Sequence, residues 1–223
     1  MQSALPKQYL QVLGKTLLQH TLENLGSSAL IAGIVLAVSP GDPHISAALA
    51  KLAPELRARI TLVAGGAERV HSVRNAVAAL AGGAAASDWV LVHDAVRPCV
   101  LAADLPALLA AVSDEPAGGL LALPVRDTLK RDDGSAHVLA TVDRQSLWQA
   151  ATPQVFRHGV LSQALDNCMA RGLLVTDEAA AVEALGLPVK LVQGRSDNIK
   201  LTWPEDLALV EAVLRSRLQY LQA

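Results

Sequence analysis

The stretch DWVLVHDAVRP, residues 88–98, decides the fold class of this chain. Its four consecutive apolar residues, 89–92, are typical of a strand that is buried on both faces, as in a parallel sheet. His93 and Asp94 follow the strand directly, and Arg97 comes three residues after the aspartate. Because open α/β sheets bind ligands beyond the carboxyl ends of their strands, this placement favours a phosphate site. The alternative is that Asp94 caps the following turn and pairs with Arg97.

Strand-like and helix-like segments alternate on both sides of this stretch. Short apolar runs predict strands at 34–39, 60–63, 89–92, 120–123 and 189–192. Helical spacing of apolar residues predicts helices at 17–26, 68–81, 103–112, 158–171 and 177–185, and a terminal helix that opens at Pro204. The alternation indicates βαβ units, so we expect an α/β fold with a mostly parallel sheet and helices on both faces.

The alternation stops between residues 124 and 147, where the sequence is polar. Asp133 and Gly134 form a typical hairpin turn between two extended arms. Such a hairpin has little apolar surface to bury against its own domain. It is therefore either a mobile surface excursion or an arm that contacts a second subunit. We expect one domain over residues 1–223, with 124–147 as a hairpin arm under either alternative.

The composition limits the possible classes of function. A chain of 223 residues suits one domain, and its 52% apolar but only 3% aromatic content predicts a core of Ala, Leu and Val. The net charge of −2 and the lack of a basic run argue against nucleic-acid binding. Cys99 and Cys168 are too few for a disulfide framework. Without a signal peptide or a long apolar segment, we expect a cytoplasmic protein that does not bind membranes.

The residues before the first helix form a polar loop, 2–8, that contains no glycine-rich turn. Doubly wound nucleotide-binding sheets normally open with a strand and such a turn, whose amides hold phosphates. We therefore expect that the natural start lies upstream of Met1. We also expect that neighbouring strands have unpaired edges and that the chain as written is poorly active.

Seven stretches, taken together and in order, resemble the bacterial 2-C-methyl-D-erythritol 4-phosphate cytidylyltransferases. The resemblance covers nearly all of residues 6–209. The stretches are PKQY at 6–9, GGAERVHSV at 65–73, VHDAVRP at 92–98, PVRDTLK at 124–130, TVDRQSLWQAATPQ at 141–154, TDEA at 176–179 and DNIKLTWPEDL at 197–207.

The resemblance implies a Rossmann-like nucleotidyltransferase that moves a cytidylyl group from CTP to methylerythritol phosphate and releases pyrophosphate. It also implies a requirement for Mg²⁺ or a similar hard divalent cation. The hairpin becomes the dimerisation arm of a homodimer, which favours the second of the two alternatives given above for 124–147.

The resemblance assigns the CTP end of the site to Lys7, Gly66, Ala67 and Ser72. Lys7 is expected to reach the phosphates and to stabilise charge on the α-phosphate. Gly66 would allow close backbone approach, and Ser72 would offer a hydroxyl. Ala67 stands where the family often has an acidic residue, so only a backbone contact is expected there. From the residues alone, a solvated loop lysine is the favoured interpretation of Lys7, and a helix-surface serine is the lesser alternative for Ser72.

The resemblance assigns the other end of the site to the substrate phosphate and the metal. Asp94 would bind Mg²⁺ and lie beside the methylerythritol. Lys200 would position the substrate, and Arg144, whose planar fork suits a phosphate, would act from the neighbouring subunit. The remaining substrate positions are Thr128, which like Arg144 would serve the substrate phosphate of the neighbouring subunit, and Arg97, Thr152 and Thr176. For the last two threonines a capping role is an equal alternative, and His93 is expected to be a structural hydrogen-bonding residue.

Two other functions compete with this interpretation. One is a related cytidylyltransferase that acts on a polyol phosphate such as ribitol 5-phosphate. It would share the CTP end, so the hairpin and the 141–154 stretch must distinguish the two substrates. The 141–154 stretch favours methylerythritol phosphate. The other is a non-catalytic, truncated dimeric form, suggested by the missing glycine-rich loop.

Overall fold

The computed structural model describes residues 5–220 of the chain. Its strands are β1 (Gln11–Val12), β2 (Lys15–Thr16), β3 (Ile34–Val38), β4 (Ile60–Ala64), β5 (Trp89–Val92), β6 (Gly118–Pro124), β7 (Leu129–Asp132), β8 (Val138–Val142), β9 (Trp148–Arg157) and β10 (Lys190–Gln193). Its helices are α1 (Leu17–Gly26), α2 (Ile45–Ala50), α3 (Pro54–Arg57), α4 (Arg69–Leu80), α5 (Leu105–Val112), α6 (His158–Ala170), α7 (Glu178–Glu183) and α8 (Asp206–Tyr220). Short 3-10 helices lie at Lys7–Tyr9 and Ala102–Asp104.

The elements predicted from the apolar pattern are present, with ends shifted by a few residues. The terminal helix is the clearest correction, because α8 begins at Asp206 and not at Pro204. The carboxylate of Asp206 accepts the backbone N–H groups of Thr202 and Trp203, each at 2.7 Å. This side chain therefore orders the turn before the helix, and the proline belongs to that turn.

The sheet is mixed, which corrects the expectation of a mostly parallel one. Four strands lie in the order β10-β6-β9-β5, and β9 runs antiparallel to both of its neighbours. The parallel pairs are β10 with β6 and, in a separate sheet, β3 with β4. The sequence pattern missed β9 because Pro153 lies within it, and a proline argues against a central strand. The register irregularity opposite Leu121 accommodates this proline segment.

Helices cover both faces of the four-stranded sheet, as predicted. Phe156 of β9 packs in a cluster with α4, α6 and α7, whereas its neighbour Val155 packs against α5. Successive strand residues point to opposite faces, so these two contacts lie on opposite sides of the sheet. The core consists mostly of Leu, Val and Ala, and Phe156, the chain's single phenylalanine, is fully buried in it.

The predicted hairpin is present as β7 and β8, which form a two-stranded sheet of their own. Gly134 in its turn has φ +86°, a left-handed conformation that favours glycine. Val138 and Leu139 of β8 are 64% and 65% exposed. β8 thus presents two large aliphatic side chains to solvent and does not bury them against its own domain.

Within residues 5–220, β3 pairs only with β4, and β5 pairs only with β9. Each of these strands thus has one edge without a strand partner, as expected from the sequence. Of the expected N-terminal loop, residues 2–4 lie outside the described residues, and Lys7 already belongs to a 3-10 helix.

Candidate active site

Asp94 follows the carboxyl end of β5 and is surrounded by three cationic side chains. Its Oδ2 lies 3.1 Å from Nζ of Lys200 and 3.3 Å from Nε of Arg97, and its Oδ1 lies 3.6 Å from Nη2 of Arg69. The Asp94 side chain is only 12% exposed, whereas that of Lys200 is 45% exposed. The structure thus brings together three residues expected from the sequence, Asp94, Arg97 and Lys200, and adds Arg69.

The cations decide the ionisation of Asp94. Burial alone raises the pKa of this carboxyl group, but Lys200, Arg69 and Arg97 outweigh burial and hold the pKa below its ordinary value. Asp94 is therefore a carboxylate at neutral pH. Three positive side chains face Asp94, and Glu178 also pairs with Arg69, so these residues carry one positive charge in excess, which suits an anionic ligand.

Thr152 of β9 hydrogen-bonds to Asp94 and to His93. Its Oγ1 accepts the backbone N–H of Asp94 at 3.1 Å and lies 3.0 Å from Nδ1 of His93. Nε2 of His93 lies 3.1 Å from the carbonyl of Arg97, which only accepts, so Nε2 carries a proton. Burial lowers the pKa of His93 to about 4, so the ring is neutral and Nδ1 accepts the Thr152 hydroxyl proton. His93 is thus a structural hydrogen-bonding residue, and both hydrogen-bonding roles of the Thr152 hydroxyl are used inside the protein.

Asn198 hydrogen-bonds to both Thr152 and Arg97. Its side-chain amide donates to the Thr152 carbonyl at 2.8 Å, and its own backbone carbonyl accepts Nη1 of Arg97 at 2.9 Å. The guanidinium of Arg97 is therefore fixed between Asp94 and the segment that carries Lys200. Sequence reasoning did not assign a role to Asn198, although it lies in the DNIK stretch.

Arg69 is fixed by a buried partner on α7. Its guanidinium makes two hydrogen bonds to the carboxylate of Glu178, at 2.5 and 3.0 Å, and the Glu178 side chain is 1% exposed. Burial raises the pKa of Glu178, and the Arg69 guanidinium opposes that rise. Sequence reasoning missed both residues, although they lie in the quoted GGAER and TDEA stretches. A charged residue at the first position of each of two helices, α4 and α7, was the available signal.

Thr176 itself is exposed and does not cap a helix. Asp177 is the N-cap of α7, accepting the N–H of Ala180, and it also accepts a hydrogen bond from the buried Gln154. The capping alternative for Thr176 is therefore wrong, because the next residue performs that role.

Gly66, Ala67 and Ser72 lie where β4 passes into α4. The hydroxyl of Ser72 accepts the N–H of Gly66 at 3.0 Å and donates to the carbonyl of Glu68 at 3.3 Å. A Cβ on Gly66 would come within 2.2 Å of the His71 Cβ, so this position requires glycine. Ala67 is exposed. Arg69 begins α4 two residues later, so this turn borders the Asp94 cluster.

Lys7 lies beside the segment that carries Lys200. Its ammonium group donates to the Thr202 carbonyl, and its positive charge contributes to lowering the pKa of Asp206 after that residue's own bonds to Trp203 and Thr202. Among the described residues, the cations paired with Asp94 do not include Lys7.

Thr128 and Arg144 lie on the two arms of the hairpin region, and both are exposed. Within the described chain, neither side chain makes a hydrogen bond or ion pair with the Asp94 cluster. A single subunit therefore does not bring these two predicted residues together with the others.

Residues 5–220 contain no group of three or more His, Cys, Asp or Glu side chains that could hold a metal ion. The same range contains no helix that is both long and apolar enough to cross a membrane.

A sequence profile for 2-C-methyl-D-erythritol 4-phosphate cytidylyltransferase matches residues 1–216. The chain belongs to this family. The cytidylyltransferase of Pseudomonas putida strain GB-1 is 51% identical over 207 residues, which cover 91% of this chain and 85% of that protein. The cytidylyltransferase of Vibrio vulnificus strain YJ016 is 49% identical over 214 residues, covering 96% and 89%.

Solved structures of cytidylyltransferases share the fold. A crystal structure of a 4-diphosphocytidyl-2C-methyl-D-erythritol synthase superposes with a TM-score of 0.83 at 40% identity, covering 94% of this chain and 95% of that one. The cytidylyltransferase of Thermus thermophilus superposes with a TM-score of 0.78 at 35% identity, covering 94% of each chain. Cytidylyltransferases are nucleotidyltransferases, so the family sets the class of reaction.

Proposed function

We propose that this chain transfers CMP from CTP to 2-C-methyl-D-erythritol 4-phosphate, forming 4-diphosphocytidyl-2-C-methyl-D-erythritol and pyrophosphate in isoprenoid precursor biosynthesis. The observation that carries the proposal is the Asp94 cluster. Lys200, Arg97 and Arg69 converge on one carboxylate beyond the carboxyl end of β5, where an open sheet binds its ligand. The relatives of the chain are named for this reaction.

The proposed reaction needs positive charge more than it needs acid–base chemistry. A phosphate oxygen of methylerythritol phosphate attacks the α-phosphorus of CTP, and the bond from that phosphorus to the bridging oxygen of pyrophosphate breaks. The attacking dianion needs no deprotonation, so the neutral His93 is not required as a base. At 4 Å and an effective dielectric constant near 20, each pair of unit charges is worth about 4 kcal/mol. Cations that offset the repulsion between the two substrates therefore supply much of the catalysis.

The roles proposed for individual residues follow the family resemblance. Lys7 stabilises charge on the α-phosphate, while the turn formed by Gly66, Ala67 and Ser72 receives the nucleotide. Lys200 positions methylerythritol phosphate. The location of Lys7 beside residues 200–202 supports a shared phosphate region for the two lysines.

Mg²⁺ fits this site only if the substrates supply most of its ligands. Asp94 Oδ1 has a single cation contact, at 3.6 Å, and is the oxygen that could coordinate a metal. One protein carboxylate combined with substrate phosphates is a common way for proteins to hold Mg²⁺. Bound there, the metal would neutralise phosphate charge. Lys200 and Arg97, both on Oδ2, would keep their contacts and orient the carboxylate.

A homodimer through the hairpin completes the proposal. Thr128 and Arg144 are exposed and separate from the Asp94 cluster of their own subunit, which suits a role in the site of a partner. The exposed aliphatic pair, Val138 and Leu139, supplies apolar surface for the subunit contact. We place the enzyme in the cytoplasm on sequence grounds.

The test is to incubate the purified chain with CTP, methylerythritol 4-phosphate and Mg²⁺, and to follow both products by ³¹P NMR. We expect formation of 4-diphosphocytidyl-2-C-methyl-D-erythritol and an equal amount of pyrophosphate. Ribitol 5-phosphate serves as the competing substrate. Faster turnover of ribitol 5-phosphate would reject the substrate assignment, and absence of turnover with either acceptor would reject catalysis by this chain.

A further inference from the structure

Residues 194–201, which we call the strap, connect β10 to the segment before α8 and carry Lys200 to Asp94. The backbone N–H of Gly194 donates to the Ala122 carbonyl, and that of Leu201 donates to the Val96 carbonyl, each at 2.9 Å. These bonds fix the two ends of the strap. Between them, Asn198 contacts Thr152 and Arg97.

Asp197, in the middle of the strap, is held by two arginines. Arg195 donates to both carboxylate oxygens, at 3.0 and 3.1 Å, and Nη2 of Arg217 donates to Oδ2 at 2.9 Å. Arg217 belongs to α8, and its Nη1 also donates to the Cys99 carbonyl at 2.7 Å. Burial raises the pKa of Asp197, but the two arginines outweigh it and hold the pKa below its ordinary value. Arg217 therefore joins the strap to the segment that follows Arg97.

The packing of α8 does not explain the contact between Arg217 and Asp197. Helix α8 is already held by Val210 and Leu214, which are buried in one apolar cluster with Leu201 and Cys99. Lys200 itself is 45% exposed, so little side-chain packing fixes its position over Asp94. The backbone of the strap therefore sets its position, and Asp197, three residues earlier, is one of the points at which that backbone is held.

We infer that Arg217 is a positioning residue for Lys200: by holding Asp197, it fixes the strap so that the Lys200 ammonium group meets Asp94 and the acceptor phosphate. Arg217 does not touch the substrates. The expected change in KM rests on the proposed function. The expected loosening of the strap does not depend on it.

The experiment compares Arg217→Ala and Asp197→Asn with Arg215→Ala. Arg215 is the matched control, because it lies on the same helix and, among the described residues, pairs only with Glu211, whose side chain is 42% exposed. For the two strap variants we expect KM for methylerythritol phosphate to rise about tenfold, the scale of one lost hydrogen bond to a charged group. We expect KM for CTP and all constants of Arg215→Ala to stay within about twofold of wild type. Arg217→Lys keeps one charged bond and should recover part of the loss.

Hydrogen exchange of the free proteins supplies a readout that needs no activity. The amides of Asn198 and Leu201 should exchange faster in Arg217→Ala and at the wild-type rate in Arg215→Ala. Equal exchange in Arg217→Ala and wild type would overturn the inference, as would an equal rise in both KM values. If wild type turns over neither acceptor, the proposed function fails, and the exchange rates alone decide whether Arg217 holds the strap.

Discussion

The hydroxyl of Thr152 accepts the backbone N–H of Asp94 at 3.1 Å. This bond continues the pairing of β5 with β9 beyond its last backbone pair, Val92 with Gln154. Pro153, the next residue of β9, has no N–H, so a side chain takes over where the ladder cannot continue. The position of the central carboxylate therefore depends on a threonine that was expected to contact substrate.

Replacing Thr152 by valine should lower kcat/KM about tenfold, because the Asp94 N–H and His93 Nδ1 lose their partner and each unmade bond costs about 1–3 kcal/mol. Thr152→Ser keeps the hydroxyl and should retain most activity. Thr61→Val, at an exposed position of β4, is the control. Steady-state kinetics and thermal melts test this; equal activity of the valine and serine variants would contradict it.

Asp94→Asn should lower activity by about 10²-fold or more while the protein stays folded, since it removes a charge that orients three cations at a strand end. Pyrophosphate release as a function of Mg²⁺ concentration, together with circular dichroism, measures both effects. Unchanged release at low Mg²⁺ would show that Asp94 is not a metal ligand.

The same variant should change the pH dependence of stability. The pKa of Asp94 lies below its ordinary value in the folded protein, so its contribution is present above the unfolded-state pKa, about 3.9, and is lost as pH falls through the folded-state value. Wild type should thus exceed Asp94→Asn in free energy of unfolding at pH 7, and the difference should narrow below about pH 4. Urea unfolding across this range is the measurement, and a difference that widens at low pH would refute the assignment.

Arg69→Ala should destabilise the fold more than Glu178→Gln does. Removing the arginine leaves a buried carboxylate without its partner, which costs about 3–5 kcal/mol. In Glu178→Gln, the glutamine keeps hydrogen-bonding atoms beside Arg69. The arginine is also partly exposed to water, so its charge is not left buried and unpaired. Denaturant titration of both variants measures which of them loses more free energy of unfolding. Arg74→Ala, which within residues 5–220 breaks only the exposed pair with Asp166, is the matched control.

Mixing two inactive variants should restore activity if the hairpin serves a partner subunit. A hybrid dimer of Arg144→Ala and Asp94→Asn subunits has one site without either lesion, so random exchange should recover about a quarter of wild-type activity. Subunit exchange is verified separately by mass spectrometry. Demonstrated exchange without recovered turnover would place Arg144 outside a shared site.

The alternating α/β plan was predictable because the apolar spacing of each element is local. The pattern over 69–80 gives α4, and the run Trp89–Val92 gives β5, without reference to the rest of the chain. The antiparallel β9 was not predictable, because its proline argues against a strand and only pairing with β6 and β5 overrides that preference.

The candidate site was predictable only in part. Asp94, Arg97 and Lys200 came from motifs, and the structure brings them together. The partners Arg69 and Glu178 are 109 positions apart, and no local pattern links them. Tertiary contact alone shows which arginine of the chain faces the carboxylate.

The Asp94 cluster is built from segments that are far apart along the chain. Asp94 and Thr152 are separated by 58 positions, and Arg97 and the Asn198 carbonyl by 101. Contacts of this kind require large loops to close, so they form slowly compared with helices. During refolding from denaturant, turnover should therefore return with the last kinetic phase, well after the helical circular dichroism signal has recovered.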